Sequence, residues 1–109
     1  MMRRGDIVTV SAPGDYGKPR PAVVIQANIL NRDAQSTIVA LLTSHLVDAP
    51  LLRLTVEPDV ANGLNKPSQV QANRLLSLPT AKVGPVIGRL SERELDELNR
   101  LLAVVIGLA

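Results

Sequence analysis

Ser36-Thr-Ile-Val-Ala-Leu-Leu-Thr43 is the stretch on which the fold turns. Its apolar, β-branched middle, Ile38 to Leu42, reads as a buried strand, with Thr43 closing the run and Ser44-His45 at its exit. Working outward, Pro21-Ala-Val-Val-Ile-Gln26 is a second run of the same kind, and Asp6-Ile-Val-Thr-Val-Ser11 reads as the first strand. Between those two, Ala12 to Pro19 is a turn-rich loop in which Pro13-Gly14 and Gly17 supply the bends. Asn28 to Gln35 is polar enough for another loop. Downstream, Leu51 to Glu57 alternates and pairs naturally with residues 36–43. Pro58 to Pro67 is a loop with room for a helical turn. Ser68 to Ala72 and Arg74 to Leu78 form a further strand or strand pair, closed by Pro79. Short strands at close spacing, over about residues 6–78, predict a mainly β domain, a small barrel or sandwich.

The end of the chain follows a different period. Ser91-Glu-Arg-Glu94 has capping-box spacing, with Ser91 placed to accept from the Glu94 amide. Leu95, Leu98, Leu101/Leu102, Val105 and Leu108 then recur at helical intervals, which predicts a helix over about 92–106. Arg93–Glu97 and Asp96–Arg100 are i,i+4 pairs on its outer face. The leucine stripe belongs to the core or to a subunit interface.

Composition narrows the chemistry. The chain has 109 residues, 46% of them hydrophobic, so one domain (1–109) with a real core is expected. It has no Cys and one His (His45), which excludes thiol nucleophiles, Cys-ligated metals and a histidine acid/base pair. Without Trp or Phe, an aromatic base-stacking sheet is also excluded. No metal site and no cofactor is expected. The N-terminus lacks the apolar run of about 7–15 residues that a signal peptide needs. The apolar run Leu101 to Ala109 is about half a bilayer span, so a cytoplasmic protein without membrane contact is expected. The formal charge of +2 is uneven: residues 1–90 carry ten Lys/Arg against six acids, and residues 91–109 two Arg against four acids. A basic body with an acidic end suits a polyanion or an acidic partner, although many weakly basic proteins bind neither.

With those exclusions, catalysis must use Arg, Lys, a hydroxyl, Tyr or a lone acid. Arg is always protonated and its planar fork matches phosphate, which favours electrostatic stabilisation over proton abstraction. Arg20, between Pro19 and Pro21 at the mouth of a buried strand, is well placed for that role; the plain alternative is a surface Arg paired with an acid. Thr43 and Ser44 are either site hydroxyls or turn residues, and His45 is either a site group or a surface histidine. Tyr16, near Lys18 on a glycine-flanked loop, either stacks a base or caps a hydrophobic edge. The glycines fit no phosphate-cradling fingerprint.

In whole-chain order, Arg4-Gly-Asp-Ile-Val8, a glycine loop, Arg20-Pro-Ala-Val-Val-Ile25, Ile38-Val-Ala-Leu-Leu-Thr43 and Thr55-Val-Glu57 resemble the PemK/MazF family of toxin endoribonucleases. Lys66-Pro-Ser68, Val83-Gly84, Ile87-Gly-Arg-Leu-Ser91 and the terminal amphipathic helix continue the resemblance over essentially the whole chain. It implies an SH3-like β-barrel with a C-terminal helix, usually homodimeric, that cuts single-stranded RNA without metal. It also implies an antitoxin partner whose extended, acidic tail covers the RNA groove. The family's catalytic Arg and Thr fall on Arg20 and Thr43. The implied reaction is attack of a ribose 2′-OH on the adjacent phosphate, leaving a 2′,3′-cyclic phosphate and a 5′-OH. Tyr16, Lys18, Ser44, His45, Gln71, Asn73 and Arg74 are then the expected RNA contacts.

The chain departs from the family pattern in two places. The loop Gly14 to Pro19 is shorter than the Glu-Gln-containing loop of other members. Leu76 stands where their Gln-Ile-Arg-Thr segment has Arg, with Arg74 nearby to supply that charge. Two other readings are a gyrase poison of the CcdB type and a catalytically inactive nucleic-acid-binding barrel. The former needs a Trp-Gly-Ile end, whereas this chain finishes Val105-Ile-Gly-Leu-Ala109.

Overall fold

A computed structural model describes residues 2–11 and 18–109. Six strands, β1 (Asp6–Val10), β2 (Arg20–Val24), β3 (Ser36–Thr43), β4 (Arg53–Val56), β5 (Ser68–Pro79) and β6 (Val83–Arg89), form one sheet in the order β4-β5-β3-β2-β1-β6. Every neighbouring pair is antiparallel. A four-residue helix, α1 (Asn28–Asn31), precedes β3, and α2 (Glu92–Val105) follows β6.

The central strands are buried on both faces, which is why they read as unbroken apolar runs. Alternation along them feeds two clusters. Ile7, Val23, Ala40 and Leu42 join Leu54, Val56, Val70, Leu98 and Leu102 in one. Val8, Val10, Ala22, Val24 and Val39 join Leu78 in the other. Helix α2 covers the first cluster with Leu98 and Leu102, and packs on β4 and β5. Its capping box is complete: the Glu94 amide donates to Ser91 Oγ (3.1 Å) and the Ser91 amide to Glu94 Oε1 (2.9 Å). Among the described residues the Arg93–Glu97 and Asp96–Arg100 pairs do not close, whereas Arg89 and Asp6 form an ion pair at 2.6 Å. Long exposed side chains gain too little in water to hold one geometry, whereas Asp6 is buried.

Three elements differ from the sequence reading. The strands do not end near residue 78: Val83–Arg89 forms β6. Its Gly84, Pro85 and Gly88 disguise it, but β6 is an edge strand, where a proline without an N–H is tolerated. Gly88 has a specific reason: a Cβ there would lie 2.3 Å from the Asn62 carbonyl carbon, so only glycine lets the 57–67 loop lie against β6. The Asn28–Gln35 loop contains α1, tied in by buried Asn31. Its amide donates to Gln26 O (2.9 Å) and accepts from Thr37 Oγ1 (2.8 Å). Finally, residues 68–79 are one bulged strand. Between the pairs Ala40↔Leu75 and Leu42↔Val70, two steps along β3 match five along β5. The surplus residues bend β5 at Gln71 to Arg74.

The ladder does not close into a barrel through strand pairing, since β4 and β6 are its two edges. The 57–67 loop bridges them instead, and Arg89 donates from its amide to Ala61 O (3.0 Å). Buried Asn62 pins the loop: its Oδ1 accepts from the Asp59 and Leu64 amides (both 3.0 Å) and its Nδ2 donates to Glu57 O (2.8 Å). The outline is barrel-like, with that loop standing beside the open ends of β2 and β3.

Candidate active-site groove

Arg20 opens β2 and Thr43 ends β3, and the register of these strands brings them together. The partners Ala22↔Leu41, Val23↔Ala40 and Val24↔Val39, continued two residues further, set Arg20 across from Thr43. Directly opposed residues of an antiparallel pair share a face, with Cβ atoms about 5 Å apart. Arg20 is exposed at the strand mouth and Thr43 half-buried. Thr43 Oγ1 accepts from the His45 amide at 3.1 Å. That bond occupies an acceptor position of the hydroxyl and leaves its proton to donate elsewhere.

Two grooves meet at this pair. The larger, about 270 Å³, is lined by Arg20, Thr43 and Ser44 on one side and by Gly63, Leu64, Asn65 and Lys66 on the other, with Leu42 and Ile87 between. The smaller, about 160 Å³, is lined by Arg20, Thr43, Gln71 and Arg74. Arg20, Thr43 and Leu42 belong to both. Among the described lining residues, Arg20, Lys66 and Arg74 are cationic and none is a carboxylate. Such a one-signed cleft focuses a field that draws in anions. A larger hollow of about 420 Å³ lies between residues 47–50, β4 and α2, but Asp48 and Glu97 offset its Arg53 and Arg100. The like-charged grooves are therefore the better anion site.

The segment leaving Thr43 is anchored from below. Gln69, opposite Thr43 on β5 and buried, accepts from the Val47 amide (3.1 Å) and donates to Val47 O (3.0 Å). The same amide oxygen accepts from the Arg53 guanidinium at 3.1 Å, and Arg53 also donates to His45 O at 3.0 Å. Ser44 and His45 thus ride on a stretch held at both ends.

Of the residues chosen from sequence, Arg20, Thr43, Ser44, Gln71 and Arg74 line the grooves. Gln71 is buried, its Nε2 donating to Leu41 O at 3.4 Å, so it forms floor rather than rim. His45, Lys18 and Asn73 are exposed outside the two linings. Tyr16 lies outside the described residues. Asn65 and Lys66 also line the larger groove, and the sequence does not single them out, since residues 58–67 read as a connecting loop. The signal was present in Lys66-Pro-Ser68, whose cation follows a turn and precedes a buried strand. Among the described residues, no three His, Asp or Glu side chains gather as a metal site would require.

Comparison with known proteins agrees over nearly the whole chain. Residues 3–106 match the family model described as PemK-like, MazF-like toxin of type II toxin-antitoxin system. The protein named probable endoribonuclease MazF from Mycolicibacterium smegmatis is 40% identical over 109 residues, covering 99% of each chain. Among solved structures, the Mycobacterium tuberculosis toxin MazF-mt6 superimposes with a TM-score of 0.82 at 21% identity, over 95% of this chain and 98% of that one. An endoribonuclease in complex with its cognate antitoxin, from a mycobacterial species, superimposes with a TM-score of 0.83 at 19% identity, over 100% of this chain and 98% of that one.

Proposed function

Because this chain belongs to the PemK-like, MazF-like toxin family of type II toxin–antitoxin systems, we propose that it is an endoribonuclease cutting single-stranded RNA at the Arg20–Thr43 junction. The observation that carries the reading is the convergence of those two side chains, picked out for phosphate chemistry, on a cationic cleft free of carboxylates among its described lining residues.

The nucleophile comes from the substrate. A ribose 2′-OH attacks the adjacent phosphorus, the bond to the 5′ oxygen of the next nucleotide breaks, and the products are a 2′,3′-cyclic phosphate and a 5′-OH. The protein's work is then positioning and charge stabilisation. Arg20 donates in a fork to the non-bridging oxygens, whose charge rises in the phosphorane-like transition state. Thr43 donates a hydrogen bond from its hydroxyl to a phosphate oxygen and fixes the in-line geometry. Neither role requires a shifted pKa or a metal.

The same cleft suits the antitoxin, whose extended acidic tail competes with RNA for one cationic surface. A homodimer is part of the reading, since Val104, Ile106 and Leu108 at the end of α2 are exposed and apolar. It operates in the cytoplasm, where its RNA substrate is.

The test is incubation of purified protein with a long single-stranded RNA in excess EDTA, followed by mapping of both new ends. Discrete cuts with 5′-OH and 2′,3′-cyclic phosphate termini are expected. Intact RNA, or cuts leaving 5′-phosphates, would refute the reading.

A further inference from the structure

We propose that the larger groove is a base-reading subsite in which Asn65 selects the nucleobase flanking the scissile phosphate. The inference rests on the endoribonuclease reading above and concerns the same cleft.

The two grooves that meet at Arg20 and Thr43 differ in chemistry. The smaller sets Arg20 and Arg74 beside Gln71 and Thr43, a lining suited to the sugar–phosphate backbone. The larger has a wall of Pro21, Leu42, Leu64 and Ile87, with Asn65, Ser44, Thr9 and Ser68 as its polar groups. Apolar surface with a few placed polar groups is the pattern of a pocket for a flat organic ring. A splayed base of single-stranded RNA needs that combination, an apolar surface against its face and hydrogen-bonding groups at its edge. With the scissile phosphate held at the Arg20–Thr43 junction and the backbone continuing along the smaller groove, the adjoining base is left to enter the larger one.

Within the larger groove, Asn65 is the side chain with both the reach and the code. Its amide carries two donors and an acceptor, the equipment for reading a base edge. It is exposed, and among the described residues its side chain makes no hydrogen bond. The backbone around it is fixed on both sides. The Leu64 amide donates to Asn62 Oδ1 at 3.0 Å, and Ser68 Oγ donates to Lys66 O at 2.9 Å. A free amide on a held segment is pre-organised for selection, with little ordering cost on binding. Lys66 beside it offers charge without shape and grips the backbone of any sequence.

The experiment is cleavage of an RNA library randomised around the mapped cut by the full chain, with deep sequencing of the 5′-OH ends. Asn65→Asp, which exchanges the donors for acceptors, is expected to change base preference at one position flanking the cut by about 5- to 100-fold. Preferences elsewhere should stay as in the wild type, and Asn65→Ala should flatten that one position. Lys66→Ala should slow all sequences alike and reduce the salt slope by about 0.7. Matching melting curves establish that the Asn65 variants are folded. An unchanged sequence profile in both of them, or an even loss across all sequences, would overturn the subsite while leaving the endoribonuclease reading intact. No cutting by the wild-type chain would remove both.

Discussion

Arg20→Ala is expected to lower the single-turnover rate of RNA cleavage by about 10²- to 10³-fold, the usual cost of losing one pre-organised donor to a developing oxyanion. Arg20 is exposed at the start of β2, so its removal exposes no core and the melting temperature should stay close to that of the wild type. Arg20→Lys should recover little, since an ammonium supplies a point charge without the planar two-point grip. Thr43→Val keeps the shape of the strand end but deletes both the donor and the acceptor of the His45 amide. Its rate should fall by about 10-fold, in line with one hydrogen bond to a charged group. Since both residues act on one phosphate, the double variant should lose less than the product of the two single losses. Full activity in Arg20→Ala would show that the cleft is wrongly assigned even if the chain cuts RNA.

Gly63→Ala should destabilise the fold by about 3–5 kcal/mol, an effect reserved for substitutions that break a backbone contact. Gly63 has φ +68°, where an L side chain is strained by about 1 kcal/mol or more. A Cβ there would also lie 2.1 Å from Ile87 O, with no flexible side chain to give way. The loop must then leave β6, losing the bridge between the sheet edges and one wall of the larger groove together. For a domain of this size, each kcal/mol moves the melting temperature by about 4–8 °C, so a fall of well over 10 °C is expected in calorimetry. Gly107→Ala is the matched control: φ is +82° but nothing lies within 4 Å of the added Cβ, so about 1 kcal/mol is expected. Equal losses in the two variants would mean that the loop contact with β6 contributes nothing.

Much of this architecture was legible in the residues. Strands β1 to β5 and helix α2 announce themselves because burial on two faces, on one face of an alternating strand such as β4, or on one helical stripe forces a visible apolar pattern. Arg20 and Thr43 were legible because each terminates a buried strand, and antiparallel pairing aligns the ends of such strands. What stayed hidden depends on contacts between distant segments. Strand β6 looks like a loop, because Gly88 is chosen for the approach of Asn62 and Pro85 is harmless only at an edge. The bulge in β5 has no local signature, since its surplus residues are seen only against β3. Asn65 and Lys66 stand far from Arg20 in sequence, and it is the loop's tie to β6 that carries them to the groove.

The nucleophile proposed for the reaction is a single atom of the substrate, the ribose 2′ oxygen, and its removal is the direct test. In an RNA carrying one mapped cut, the nucleotide immediately 5′ to the cut is replaced by its 2′-deoxy counterpart, and cleavage by the wild-type chain in EDTA is timed against the all-ribose strand. Loss of that cut, with binding retained, is the result expected. Cleavage of the deoxy strand at an unchanged rate would contradict it, and would place the nucleophile on the protein or on water.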